Sequence, residues 1–126
     1  MASAKKLDIP ILPAEQVEAE ARLLISAVDL AKRLKDDPKL ILIDVRSELE
    51  HRMLHIEGSR LATRELVEEI FSKWEKNLPL VVYDHTGRDG MNAAKALANR
   101  GFTDVKALAG GVDSWSQAID PLVPRY

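Results

Sequence analysis

Leu80-Val-Val-Tyr-Asp-His-Thr-Gly-Arg-Asp-Gly90 is the stretch that decides the fold. Its first four side chains form an unbroken apolar run, which reads as a strand buried on both faces. The run stops at Asp84, and Gly87 and Gly90 follow before a helical pattern begins. Strand, glycine-bearing loop and helix in that order let successive backbone N–H groups curl round an anion at a helix N-terminus. The plainer reading of the loop is a strand-to-helix turn with glycine at positions that need positive φ.

On either side the same alternation repeats. Upstream, Leu40-Ile-Leu-Ile-Asp44 is a second apolar run ending in a carboxylate. Between the two runs, Thr63 caps a helix expected to reach about residue 76, with Leu66, Val67, Ile70, Phe71 and Trp74 on one face. Downstream come an Ala-rich helix over 91–100 stopped by Gly101, a strand over 103–108, a turn at Gly110-Gly111 and a helix over 112–118 carrying Trp115. Nearer the N-terminus, Ser26 caps a helix over 27–35, where Val28, Ala31 and Leu34 fall at helical spacing and Asp36-Asp37-Pro38 ends the pattern. A short helix is expected over 14–21. Buried strands alternating with helices imply a parallel sheet covered on both faces, and in such sheets the chemistry lies at the carboxyl ends of strands. Those ends are Asp44 and the segment 84–90.

The composition is that of one compact domain, read as 14–126 behind an extended tail, 1–13, that holds Pro10 and Pro13. Lys and Arg number 18 against 20 Asp and Glu, a net charge of −2 that gives no basis for nucleic-acid or anionic-membrane binding. The tail has no apolar run of signal-peptide length, so a cytoplasmic protein is expected. Cysteine is absent, which removes disulfides, Cys-ligated zinc, iron–sulfur clusters and every thiolate mechanism. No cofactor is expected.

Leu42-Ile-Asp-Val-Arg46, His55-Ile-Glu-Gly58, Val81-Val-Tyr83, Gly87, Ala93-Ala94, Leu97, Gly101-Phe102, Val105, Leu108, Gly110-Gly111 and Trp115 follow one another at a spacing that resembles the rhodanese-like, or sulfurtransferase-like, family. The resemblance covers about residues 26–118. It implies a three-layer α/β fold, a central and mostly parallel sheet of about five strands with helices on both faces. It also implies an ancestral activity in which a cysteine takes sulfane sulfur from a donor such as thiosulfate, holds it as a persulfide and passes it to a thiophilic acceptor. The family's loop reads Cys-x-x-Gly-x-Arg-Ser. Anchored on Gly87, that pattern puts Asp84 at the nucleophile, Asp89 at the Arg and Gly90 at the Ser. A carboxylate forms no persulfide, and Asp89 adds negative charge where a cation should help; Arg88 offsets it from the next position. In the family's Glu-Tyr-x-x-Gly-His-Ile-Pro-Gly pattern, His51, Leu54 and Glu57 replace Tyr, Gly and Pro.

The resemblance therefore implies a non-catalytic member acting as a binding or regulatory module. The degenerate loop Asp84, His85, Thr86, Gly87, Arg88, Asp89 and Gly90 would recognise a protein partner or a small anionic ligand. Two readings of Asp84 stand side by side: a permanent carboxylate filling the N–H cradle, or a lost nucleophile tolerated by drift. The enzyme alternatives are altered or partner-assisted sulfur transfer, or phosphorylation of Asp84, which would need a second acid to hold Mg²⁺. His85 and Arg88 are the candidate ligand-binding side chains, with His85 at the pocket mouth. Asp44, Arg46, His55 and Gly58 are expected to be structural. His51 and His55 lie four apart and make half a zinc site, but no cysteine or third clustered histidine completes it, so no metal is expected and His51 is read as a surface substitution. Trp74 and Trp115 belong to the core, and Glu65, Glu68, Glu69, Lys73 and Lys76 to a solvated helix face. The last segment, 121–126, is left open between packing across the domain, serving as an interaction tail and fraying.

Overall fold

The structure is a computed structural model that describes residues 14–121; the expectations for 1–13 and for 122–126 lie outside the described residues. In chain order the elements are α1 (Ala14–Arg22), β1 (Leu24–Ile25), α2 (Ala27–Asp36), β2 (Ile41–Asp44), α3 (Glu48–Met53), β3 (Arg60–Leu61), α4 (Arg64–Lys73), β4 (Leu80–Tyr83), α5 (Arg88–Asn99), β5 (Val105–Leu108) and α6 (Gly111–Ala118). The strands form one sheet in the order β1-β5-β4-β2-β3, and every pairing is parallel. This is the α/β fold that the apolar runs imply.

The sheet separates two cores. Val81 and Tyr83 of β4 join Leu42, Leu108, Leu30, Val112 and Trp115 on the side covered by α2 and α6. Leu80 and Val82 join Ile43, Val105, Ala107, Leu66, Ile70, Ala94 and Leu97 on the side covered by α4 and α5. The alternation along β4 follows from the two-residue side-chain period of a strand. Both of its faces are sealed, with all four residues at most 1% exposed.

Local chemistry starts the helices where the caps fall. Ser26 Oγ accepts the Asp29 N–H at 3.1 Å, and Thr63 Oγ1 accepts the Leu66 N–H at 3.1 Å. Several boundaries differ from the sequence expectation. The helix after Thr63 ends at Lys73, three residues early, because Trp74 turns extended and caps it. Val28 is 63% exposed, and the face of α2 that packs inward is Ala27, Leu30, Ala31 and Leu34. The helix expected from 91 begins at Arg88, so Arg88, Asp89 and Gly90 form its first turn. Strands β1 and β3 and helix α3 went unread in the sequence. Among the described residues no helix is long and apolar enough to cross a membrane.

Candidate functional site

The register of β2 on β4 sets Asp44 beside Tyr83, so the residues that follow each strand leave the sheet at the same end. There, Val45, Arg46, Ser47 and Glu50 face Asp84, His85, Thr86, Arg88 and Asp89 across a polar crevice of about 510 Å³. Most of the loop singled out in the sequence therefore lines one cavity. Gly87, Gly90, His55 and Gly58 are not among its lining residues.

Asp84 is the pivot of the loop. Its side chain is turned inward, and the residue is 5% exposed. Oδ1 accepts the Gly87 N–H at 2.6 Å, and Oδ2 accepts the Asp89 N–H at 2.8 Å. The carboxylate thus holds the loop and the first turn of α5 in one ring of hydrogen bonds. Gly90 stands against it: a Cβ there would lie 3.3 Å from Asp84 Oδ1. That oxygen is already tied to Gly87, so it has little room to give.

From the other side the loop is gripped by α6. The Val112 N–H donates to the Asp84 carbonyl at 2.8 Å, and the Asp113 N–H to the His85 carbonyl at 3.1 Å. These are N–H groups that a helix start leaves without an intrahelical acceptor. Gly111 permits the approach, since a Cβ on it would come within 2.5 Å of both the Asp84 and the His85 carbonyl oxygens.

Asp44 is not a crevice residue. It is fully buried, at 0% exposure. Its carboxylate accepts the Arg46 N–H at 2.9 Å, the Arg46 guanidinium at 2.8 to 3.2 Å, the His51 ring at 2.9 Å and the Tyr83 hydroxyl at 3.1 Å. Burial alone would push the Asp44 carboxyl up, but the Arg46 and His51 hydrogen bonds outweigh it and hold it below the ordinary 3.8. Arg46 also donates to the Leu54 carbonyl at 2.7 Å, tying β2 to the end of α3. Burial pushes the Tyr83 hydroxyl up to about 12. That hydroxyl also accepts the Ile56 N–H and contacts Ser59 Oγ at 2.8 Å. With its oxygens committed in this way, Asp44 supplies no second acid for a Mg²⁺ beside Asp84.

Two features escaped the sequence reading. His51, read as a surface residue, has a side chain only 15% exposed because its ring reaches in to Asp44. The crevice wall from Ser47 to Glu50 is a capping box, in which Ser47 Oγ accepts the Glu50 N–H and the Glu50 carboxylate accepts the Ser47 N–H. The Ser-x-x-Glu spacing was the available signal.

The family model for the rhodanese-like domain matches residues 26–118. This chain belongs to the rhodanese-like family. Similar to this rhodanese domain is a probable adenylyltransferase/sulfurtransferase MoeZ of Mycobacterium tuberculosis, 32% identical over 104 residues that make up 81% of this chain and 26% of that protein. The chain thus spans about a quarter of the length of that relative. A thiosulfate sulfurtransferase GlpE of Pseudoalteromonas translucida is 26% identical over 92 residues, 73% of this chain and 88% of its own. Among solved structures, the Alr3790 protein of Anabaena sp. superposes with a TM-score of 0.67 at 29% identity, covering 74% of this chain and 75% of that one. The five-stranded parallel sheet with its flanking helices is the rhodanese fold.

Proposed function

We propose that this domain transfers no sulfur and acts as a binding module, with the crevice between Val45–Glu50 and Asp84–Asp89 as its recognition surface. The observation that carries the reading is the pair of hydrogen bonds from Gly87 and Asp89 into the Asp84 carboxylate. In the family's loop pattern this is the position of the cysteine. A persulfide needs a polarizable thiolate there, and the chain contains no cysteine. Asp84 takes the two N–H groups for itself, so a ligand meets the rim instead: Ser47, Thr86, His85 and the exposed Arg88. A small ligand or a segment of a partner protein fits such a rim, and the near-neutral charge disfavours nucleic acid and anionic membrane.

Sulfur transfer from thiosulfate to a thiophilic acceptor tests the reading directly. The wild type is expected at buffer background, Asp84→Cys above it, and Asp84→Cys with Asp89→Arg higher again. Wild-type turnover well above background overturns the proposal and establishes altered catalysis in its place. Activity in the double variant shows that the frame is intact and that the two aspartates silence it.

A further inference from the structure

Helices α4 and α5 cover the same face of the sheet, and between them a cavity of about 200 Å³ reaches down to Ile43 of β2 and Val82 of β4. Its walls are Val67 and Phe71 of α4 and Ala93 and Ala96 of α5, and every residue lining it is apolar. The sequence explains the gap: where α4 offers a branched and an aromatic side chain, the facing positions of α5 carry alanine, too short to meet them. Ala96 is exposed, and Val67, Phe71 and Ala93 are half-buried, so the cavity opens at the surface. Among the described residues only Val45 lines both this cavity and the crevice. Packed interiors leave few voids larger than a water molecule, and a dry apolar cavity of about 150 Å³ takes up benzene or xenon.

A cation stands at one end of the cavity. Ala93, Ala96, Leu97 and Arg100 share one stripe of α5, with Arg100 a turn beyond the lining alanines. Arg100 caps that helix, and its guanidinium lies over the Phe71 ring, 4.3 Å from the centroid, bridging α5 to the α4 wall. Among the described residues no carboxylate pairs with it. A guanidinium stacked on an aromatic face keeps its N–H edge free, and that edge matches a carboxylate through two parallel hydrogen bonds.

We propose that this cavity binds a small apolar carboxylic acid, with its hydrocarbon part between α4 and α5 and its carboxylate on Arg100. The lining side chains offer no hydrogen-bond donor or acceptor, so the buried part of the ligand is free of polar groups. Pockets for cofactors and drug-sized ligands measure about 300–1,000 Å³, so this one takes a smaller molecule, a single ring or a chain of a few carbons.

The test uses hydrocinnamate, a phenyl ring on a short chain ending in a carboxylate, with hydrocinnamamide as its uncharged counterpart. Each is titrated into the full chain and followed by calorimetry and by nuclear magnetic resonance of the methyl groups. One molecule per chain is expected, with shifts at Val67, Ile70, Ala93 and Ala96 and none at Thr86 in the crevice. The acid should bind at least about tenfold more tightly than the amide, the scale of one hydrogen bond to a charged group. Arg100→Gln should lower the acid to the level of the amide and leave the amide unchanged. Ala96→Leu, which fills the cavity from an exposed position and keeps Arg100, should abolish binding of both. Absence of saturable binding, equal binding of acid and amide, binding undiminished in Ala96→Leu, or shifts confined to the crevice loop overturns the proposal.

Discussion

Replacing Asp84 by Ala removes the acceptor of two backbone N–H groups at once, those of Gly87 and Asp89. Both lie at the start of α5, where a capping carboxylate is worth about 1 kcal/mol or more. Urea denaturation of Asp84→Ala should show a loss of at least that size; an unchanged midpoint would mean that the carboxylate is only a tolerated remnant. Asp44 is the other decisive acid, and its contribution appears in the pH dependence. Its folded pKa lies below the unfolded value of about 3.8, so the stabilisation is fully present above that pH and is lost as pH falls through the folded value. In Asp44→Asn the acid limb of stability against pH should flatten below about pH 4, as read by denaturation at a series of pH values. Little of this was legible. The sequence marked Asp44 and Arg46 as scaffold, but it carried no sign that His51, seven residues on, turns inward to the same carboxylate.

At the level of elements, the junction of the 84–87 loop with α6 depends on a side chain that is missing. Gly111→Ala would drive a methyl group into the Asp84 and His85 carbonyl oxygens, and Gly111 also holds φ at 63°. Steric crowding and left-handed backbone each cost about 1–3 kcal/mol, so a fall of at least about 4 °C in thermal midpoint is expected. Calorimetry would read it. The long elements were legible because β2 and β4 are apolar runs and α2 and α4 carry good N-caps. Those missed were too short to have a period: β1 and β3 span two residues each. Helix α3 has no buried residue and leaves Leu49 and Met53 66% and 70% exposed, so it presented no apolar face to read. The early start of α5 was hidden by Gly90, which reads as a loop residue. It sits inside the helix because the Asp84 carboxylate takes the space its side chain would need.

Across the whole molecule, β4 is the structural axis. It pairs with β2 on one side and β5 on the other, and the two cores meet on its opposite faces. Opening its amides requires breaking both cores, so they should exchange only through global unfolding. Hydrogen exchange followed by mass spectrometry should place the slowest amides at Leu80–Tyr83 and markedly faster ones in β1 and β3. Equal rates across the five strands would contradict this.

The two-residue length of those outer strands has a consequence for how the domain behaves in a crowd. A parallel sheet with long open margins offers a template for another chain, and proteins guard such margins with charge, proline or brevity. Among the described residues this sheet tapers from four paired residues at its centre to two at either side. At high concentration, edge-to-edge polymerisation through β1 or β3 would begin from a nucleus too short to sustain itself.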